Sequence, residues 1–273
     1  MSFYKKIFLL TTIITNVVTY AYSQSKEYVI KYKEHNLHGI ISKPSTGSNK
    51  QGIVILAHGF GGTHHFGYGY FKTLNQLGYQ AYAFDFAHGS PHSQSDNNTM
   101  KMSVLDQQQQ LECVVEHFRK QPDIDPSRIV LLGESQGGLV SALTAASIQK
   151  KINRLILVYP AFCIPYHWKS RYPDLKQVPD TTRFWNIKMG RQYFEEIHDM
   201  DAFSIAQKYK KPVLIIHGDA DYVVPYSDSE RMVKLYKNAR LYRIPQGGHG
   251  FNPQQFEQSL KYIRDFLIGN SGQ

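Results

Sequence analysis

Short apolar runs alternate along the chain with segments whose apolar residues recur every three or four positions. Residues 53–57, 79–84, 128–132, 154–158 and 212–217 are such runs, and each has the pattern of a strand covered on both faces. Residues 66–77, 103–119 and 137–148 lie between them and have helical spacing. In 103–119, Leu105, Leu111, Val114, Val115 and Phe118 share one face. A further helix at 226–236, a strand at 240–244 and a last helix at 254–267 continue the alternation. Such an order predicts an α/β fold with a mostly parallel central sheet and helices on both faces. Two short strands, 28–32 and 37–42, precede it as an antiparallel edge, and 44–52 is a polar loop.

The alternation lapses at residues 161–206. That stretch is rich in aromatics and too long for an ordinary connection. It is expected to be a cap inserted after the fourth buried strand. At the start of the chain, Lys5 and Lys6 precede an apolar stretch at 7–18, with Ala21 and Ser23 at the spacing of a cleavage site. Residues 1–23 are therefore expected to be a signal peptide. Residues 24–273 are then one exported domain, periplasmic or secreted, with no stable membrane insertion after cleavage.

The chain has 273 residues, 42% of them hydrophobic and 13% aromatic. That excludes a disordered chain or a small scaffold dependent on disulfides. The formal charge is +9, but no basic run interleaved with aromatics suggests nucleic acid. Lys208, Lys210 and Lys211 flank an apolar strand as solubilising neighbours. The two cysteines, Cys113 and Cys163, carry no metal-ligand spacing, and their positions leave open whether they meet.

The strongest chemical signal is Gly133-Glu134-Ser135-Gln136-Gly137, entered by a strand and left by a helix. A tight strand-to-helix turn needs small neighbours and lifts a hydroxyl above the sheet edge, which makes Ser135 the candidate nucleophile. A serine hydroxyl needs a base. His249, in a glycine-flanked loop between the last strand and the last helix, has the right position. The histidine needs an orienting carboxylate, and Asp221 fits better than Asp219, which is expected to brace the turn. An oxyanion requires two donors. The backbone N–H groups of Gln136 and of Phe60, in the loop after the first buried strand, are the candidates. No cofactor and no metal enter this chemistry, and His58, His64 and His65 lack a matching ligand pattern.

These pieces, together with His58-Gly59-Phe60-Gly61-Gly62, Asp85-Phe86, Tyr159-Pro160-Ala161 and Val224-Pro225, resemble the α/β-hydrolase superfamily. Within it the chain is similar to bacterial cinnamoyl or feruloyl esterases. The resemblance spans nearly all of residues 24–273. It implies an α/β-hydrolase fold, the Ser135–His249–Asp221 triad and an oxyanion hole at Phe60 and Gln136. It also implies cap residues, Tyr193 and then Trp168, that contact the substrate's phenolic ring. Two departures stand out. Glu134 occupies the place where a histidine commonly precedes the nucleophile, and the stretch after Asp85 is one residue short. The expected substrate is a small-molecule or oligosaccharide ester, a hydroxycinnamate of plant cell-wall sugars fitting best. A short-chain acyl or acetyl esterase, a monoglyceride-type lipase, a serine peptidase and a non-catalytic binding protein are the alternatives. The oligomeric state is left open.

Overall fold

The computed structural model describes residues 25–45 and 49–269. The expected signal peptide lies outside these residues. An antiparallel hairpin, β1 (Ser25–Tyr32) and β2 (His35–Ser42), leads into β3 (Gln51–Ala57), α1 (Tyr68–Gln76), β4 (Tyr79–Phe84) and α2 (Val104–Arg119). Then follow β5 (Ile124–Glu134), α3 (Gln136–Ser147) and β6 (Arg154–Val158). After the cap come β9 (Val213–Gly218), α7 (Tyr226–Leu235), β10 (Ala239–Ile244) and α8 (Pro253–Ile268). The sheet has eight strands in the order β1-β2-β4-β3-β5-β6-β9-β10. The first two pairings, β1 with β2 and β2 with β4, are antiparallel. All the others are parallel.

The continuous apolar runs have a direct cause. In β3, Ile53, Ile55 and Ala57 enter the core on one face, and Val54 and Leu56 enter the core on the other. β5 and β9 divide in the same way. Side chains alternate along a strand, so a strand buried on both sides has no polar position to spare. α3 is buried nearly all round, from Gln136 through Ala146, as its small residues predict.

Boundaries differ from expectation where local chemistry intervenes. The helix expected over 66–77 begins as a 3-10 turn at His64–Gly67 and ends at Gln76. Ser103 is not the first helical residue of α2 but its cap, accepting a hydrogen bond from the Asp106 N–H at 2.9 Å. β5 starts four residues early, at Ile124, with a register shift against β3.

The segment between β6 and β9 is more regular than its sequence suggested. It holds α4 (Ile164–Arg171), a hairpin of β7 (Thr181–Phe184) and β8 (Ile187–Gly190), α5 (Gln192–Ile197) and α6 (Ala202–Ala206). The hairpin turns on Trp185 and Asn186, both with positive φ, the backbone that a two-residue turn between twisted strands requires. Cys113 and Cys163 are both free thiols.

Candidate active site

The parallel strands all point their carboxyl ends to one edge, and the four loops of interest leave from there. At the end of β5, Ser135 has φ 51° and ψ −119°, a backbone that costs a non-glycine residue about 1–3 kcal/mol. Neighbouring strands hold it in place. The Ser135 N–H donates to Val158 O at 3.1 Å, and Ser135 O accepts from Ala161 N at 3.0 Å and Gly138 N at 2.9 Å. Close approach explains the following glycine, since a Cβ on Gly137 would lie 2.2 Å from Ala57 O.

The residues singled out from sequence meet here. Ser135 Oγ lies 2.9 Å from His249 Nε2, and His249 Nδ1 lies 2.8 Å from Asp221 Oδ2. With Nδ1–H donating to the carboxylate, Nε2 is left free to accept the serine proton. The Asp221 carboxylate is fully buried. Burial alone would raise its pKa, but it accepts from His217, His249 and the Val224 N–H, and these hold it well below the usual carboxylate range. Asp221 Oδ1 also accepts from the N–H of Val223 at 2.8 Å and of Val224 at 2.9 Å. Asp219 accepts from the Gln246 N–H at 2.6 Å, so it braces the turn that leads to His249.

His217 was missed by sequence reasoning. Its Nε2 is 3.2 Å from the same Asp221 oxygen, and its Nδ1 is 2.7 Å from Ser229 Oγ. A histidine at the end of an apolar strand directly before the Asp219-Ala220-Asp221 turn was the available signal.

Gln136 is the first residue of α3, so its N–H has no partner within the helix. Phe60 borders the same cavity as Ser135 and Gln136, and a Cβ on Gly59 would stand 3.2 Å from Ser135 Cβ. This loop is fixed from below. The Phe86 N–H donates to His58 Nε2 at 3.1 Å, and His58 Nδ1 lies 2.7 Å from Gly59 O. Asp85 Oδ1 takes both the backbone N–H (2.6 Å) and Nδ1 (2.7 Å) of His64.

Glu134, part-buried and next to the nucleophile in sequence, accepts from Tyr70 OH at 2.5 Å and also bonds Tyr159. Burial raises its pKa, against the lowering effect of the two tyrosines. Tyr159 itself packs on the His249 ring at a centroid distance of 5.0 Å. Two carboxyls near one histidine are therefore shifted in opposite directions. Asp221 is surrounded by donors from two imidazoles and the backbone, whereas Glu134 has two phenols.

Above Ser135 the cap encloses a cavity of about 210 Å³. Its walls include Phe60, Trp168, Phe184, Trp185, Met189 and Tyr193. The hairpin turn reaches over the site, with Trp185 6.1 Å from the His249 ring and Phe184 5.6 Å from Phe60. Trp168 stands in the wall. Tyr193 also borders the cavity, but its buried hydroxyl donates to Gln136 Oε1 at 2.7 Å. Gln136 Nε2 donates in turn to Gln107 Oε1 at 2.9 Å. The Tyr193 hydroxyl is thus committed to the residue that follows the nucleophile.

Comparison with known proteins adds the following. Residues 71–272 match the sequence profile of the prolyl oligopeptidase family. YuxL of Bacillus subtilis, described as an uncharacterized peptidase, is 23% identical over 255 residues, covering 85% of this chain. The chain spans 36% of YuxL's length. YfhR of Escherichia coli is 25% identical, with 85% of this chain and 76% of that protein aligned. Among solved structures, Est1E from Butyrivibrio proteoclasticus with ferulic acid bound superposes with a TM-score of 0.81. It is 27% identical, and 88% of this chain and 98% of that chain are covered.

Proposed function

The chain belongs to the prolyl oligopeptidase family of α/β hydrolases, and from that premise we propose that it is a serine carboxylic-ester hydrolase acting on hydroxycinnamoyl esters. One observation carries the reading: a Ser135–His249–Asp221 hydrogen-bonded chain opens into a ring-lined cavity of about 210 Å³. An apolar cavity of about 150 Å³ holds one benzene, so this one suits a single ring with a short acyl chain. The likeness to Est1E, solved with ferulic acid, supports the same acyl group.

In the proposed mechanism His249 Nε2 takes the proton of Ser135 as Oγ attacks the ester carbonyl. The N–H groups of Gln136 and Phe60 receive the oxyanion. The alcohol or sugar departs with the proton from His249, leaving an acyl-serine. Water, deprotonated by His249, attacks the acyl carbon and releases the acid. Asp221 keeps the imidazole in the tautomer that both halves need. The apolar start of the chain fits export to where such esters occur.

The family match favours one second reading, a serine peptidase. A single panel separates the two, using methyl ferulate, methyl sinapate, naphthyl acetate, a medium-chain monoglyceride and a peptidyl p-nitroanilide. The expected result is the highest kcat/KM on the ring esters. Higher values on the acetate or glyceride would reject the acyl assignment, and preference for the anilide would replace esterase by peptidase.

A further inference from the structure

We propose that His35, His88 and Asp96 form a binding site for a zinc-class divalent ion, separate from the catalytic loops. The three come from two places in the chain, the start of β2 and the loop after β4. No motif spacing announces them. Their ligand atoms all lie within 4.8 Å of one another.

His88 supplies the first argument. It is 5% exposed, and its Nδ1 is buried with no hydrogen-bond partner. Nδ1 stands 3.2 Å from Asp96 Oδ1 without the alignment of a hydrogen bond. The two atoms are thus close without being bonded to each other, as neighbouring ligands of one ion are. An unpartnered buried polar atom is costly, and an ion would remove that cost. His88 also holds φ 66°, an unusual backbone for a histidine. Its N–H is fixed to Asp96 O at 2.8 Å, so the loop is folded to bring these two side chains together.

The distances supply the second. Ligands at about 2.0–2.1 Å around a tetrahedral ion stand about 3.3–3.4 Å apart. His88 Nδ1 to Asp96 Oδ1 is 3.2 Å, and His35 Nδ1 to Asp96 Oδ2 is 3.7 Å. Small side-chain rotations would close the set. Outer contacts have the arrangement that orients metal ligands. Glu34 Oε1 lies 3.3 Å from His35 Nε2, on the far side of the ring from Nδ1. The Asn98 N–H donates to Asp96 Oδ1 at 2.9 Å. Two imidazoles and one carboxylate select a zinc-class ion over calcium or magnesium, which take oxygen ligands. The Asp96 side chain is 31% exposed, which leaves an entry path and room for a water as fourth ligand.

A bound ion would tie the β1–β2 turn to the loop that supports the oxyanion side of the site. Gly89, next to His88, accepts the Gly61 N–H at 3.1 Å, and Ser90 Oγ donates to Gly61 O at 2.8 Å. The test uses the full chain without an affinity tag, stripped by chelator and dialysed. Zinc chloride is titrated by calorimetry, and Co²⁺ is added as a spectroscopic probe. The expected results are one Zn²⁺ per chain, the intense visible bands of low-coordinate Co²⁺, and a melting temperature raised by zinc. His35→Ala and Asp96→Asn should each weaken binding at least tenfold and abolish the zinc-dependent rise while the zinc-free chain still melts cooperatively. No uptake by the wild-type chain, or unchanged stoichiometry and affinity in the His35→Ala/Asp96→Asn double variant, would overturn the proposal.

Discussion

The loops at the sheet edge and the cap wall that faces them across the cavity present different contacts. At the edge, each catalytic candidate is tied to neighbouring strands or turns by polar bonds. Ser135 is bonded to Val158 and Ala161, Asp221 to Val223 and Val224, and the His249 loop is braced through Asp219. The cap is cross-tied by polar bonds of its own, such as those from the Arg191 guanidinium to Val178 O and Leu175 O, but its wall over the cavity is built of packed rings. Trp168 meets Phe194 at 4.7 Å and Phe184 at 5.8 Å, and Phe184 stacks on Trp185 at 4.8 Å. Trp185, at the hairpin turn, is 53% exposed. Directional bonds fix atoms to tenths of an ångström, as proton transfer needs. Ring packing is broad and tolerant, which suits a surface that selects a shape. Substitutions at the edge should therefore remove turnover without unfolding the chain, and those in the cap should change which ester is preferred.

The largest expected effect is at the nucleophile. Ser135→Ala should lower kcat by about 10⁶-fold, with a melting temperature at or above that of the parent, measured by stopped assay and calorimetry. Asp221→Asn should cost about 10⁴-fold, because the amide favours the wrong imidazole tautomer.

Tyr193 joins the two regions, so Tyr193→Phe is the sharpest probe of their separation. It leaves the buried Gln136 Oε1 without its donor, worth about 1–3 kcal/mol. kcat should fall about tenfold on every ester, with KM nearly constant. A rise in KM confined to phenolic esters would instead assign the hydroxyl to substrate recognition. Trp185→Ala should raise KM for ring esters about tenfold, equivalent to about 1.4 kcal/mol. It should leave naphthyl acetate turnover and melting within twofold and about 2 °C.

The smallest effect concerns Glu134. Its pKa is raised in the fold by burial, so the folded chain holds this proton longer than the unfolded one. Stability from this group is therefore lost as pH rises from the unfolded value, about 4.3, to the folded one. Glu134→Gln should melt like the parent at pH 4 and a few degrees higher at pH 8. Asp221 has the opposite sign. Its depressed pKa gives stability that is present above about 4 and lost as pH falls through the folded value.

Much of the edge was legible in the sequence because its signals are local. Buried strands declare themselves as apolar runs, and the glycines around Ser135 mark a turn that only small residues permit. The chain order of Ser135, Asp221 and His249 follows from which strand each residue terminates. The cap was less legible. Its hairpin turns on Trp185 and Asn186, and a tryptophan at positive φ is no turn signal. Tyr193 was expected to contact the substrate's phenolic ring, and nothing in a helix of aromatic and charged residues tells that Gln136 lies opposite its hydroxyl. The grouping of His35 with His88 and Asp96 depends on contacts between segments far apart in the chain. Periodicity carries no information about such contacts.

The central claim is that Ser135, activated by His249, carries the acyl group. A fluorophosphonate probe tests it most directly, with intact-mass and peptide-level analysis of the adduct alongside residual ester turnover. One equivalent of label on Ser135, formed at the rate at which turnover is lost and abolished by His249→Ala, is the expected result. Label on another residue, or full turnover by the labelled chain, would contradict it.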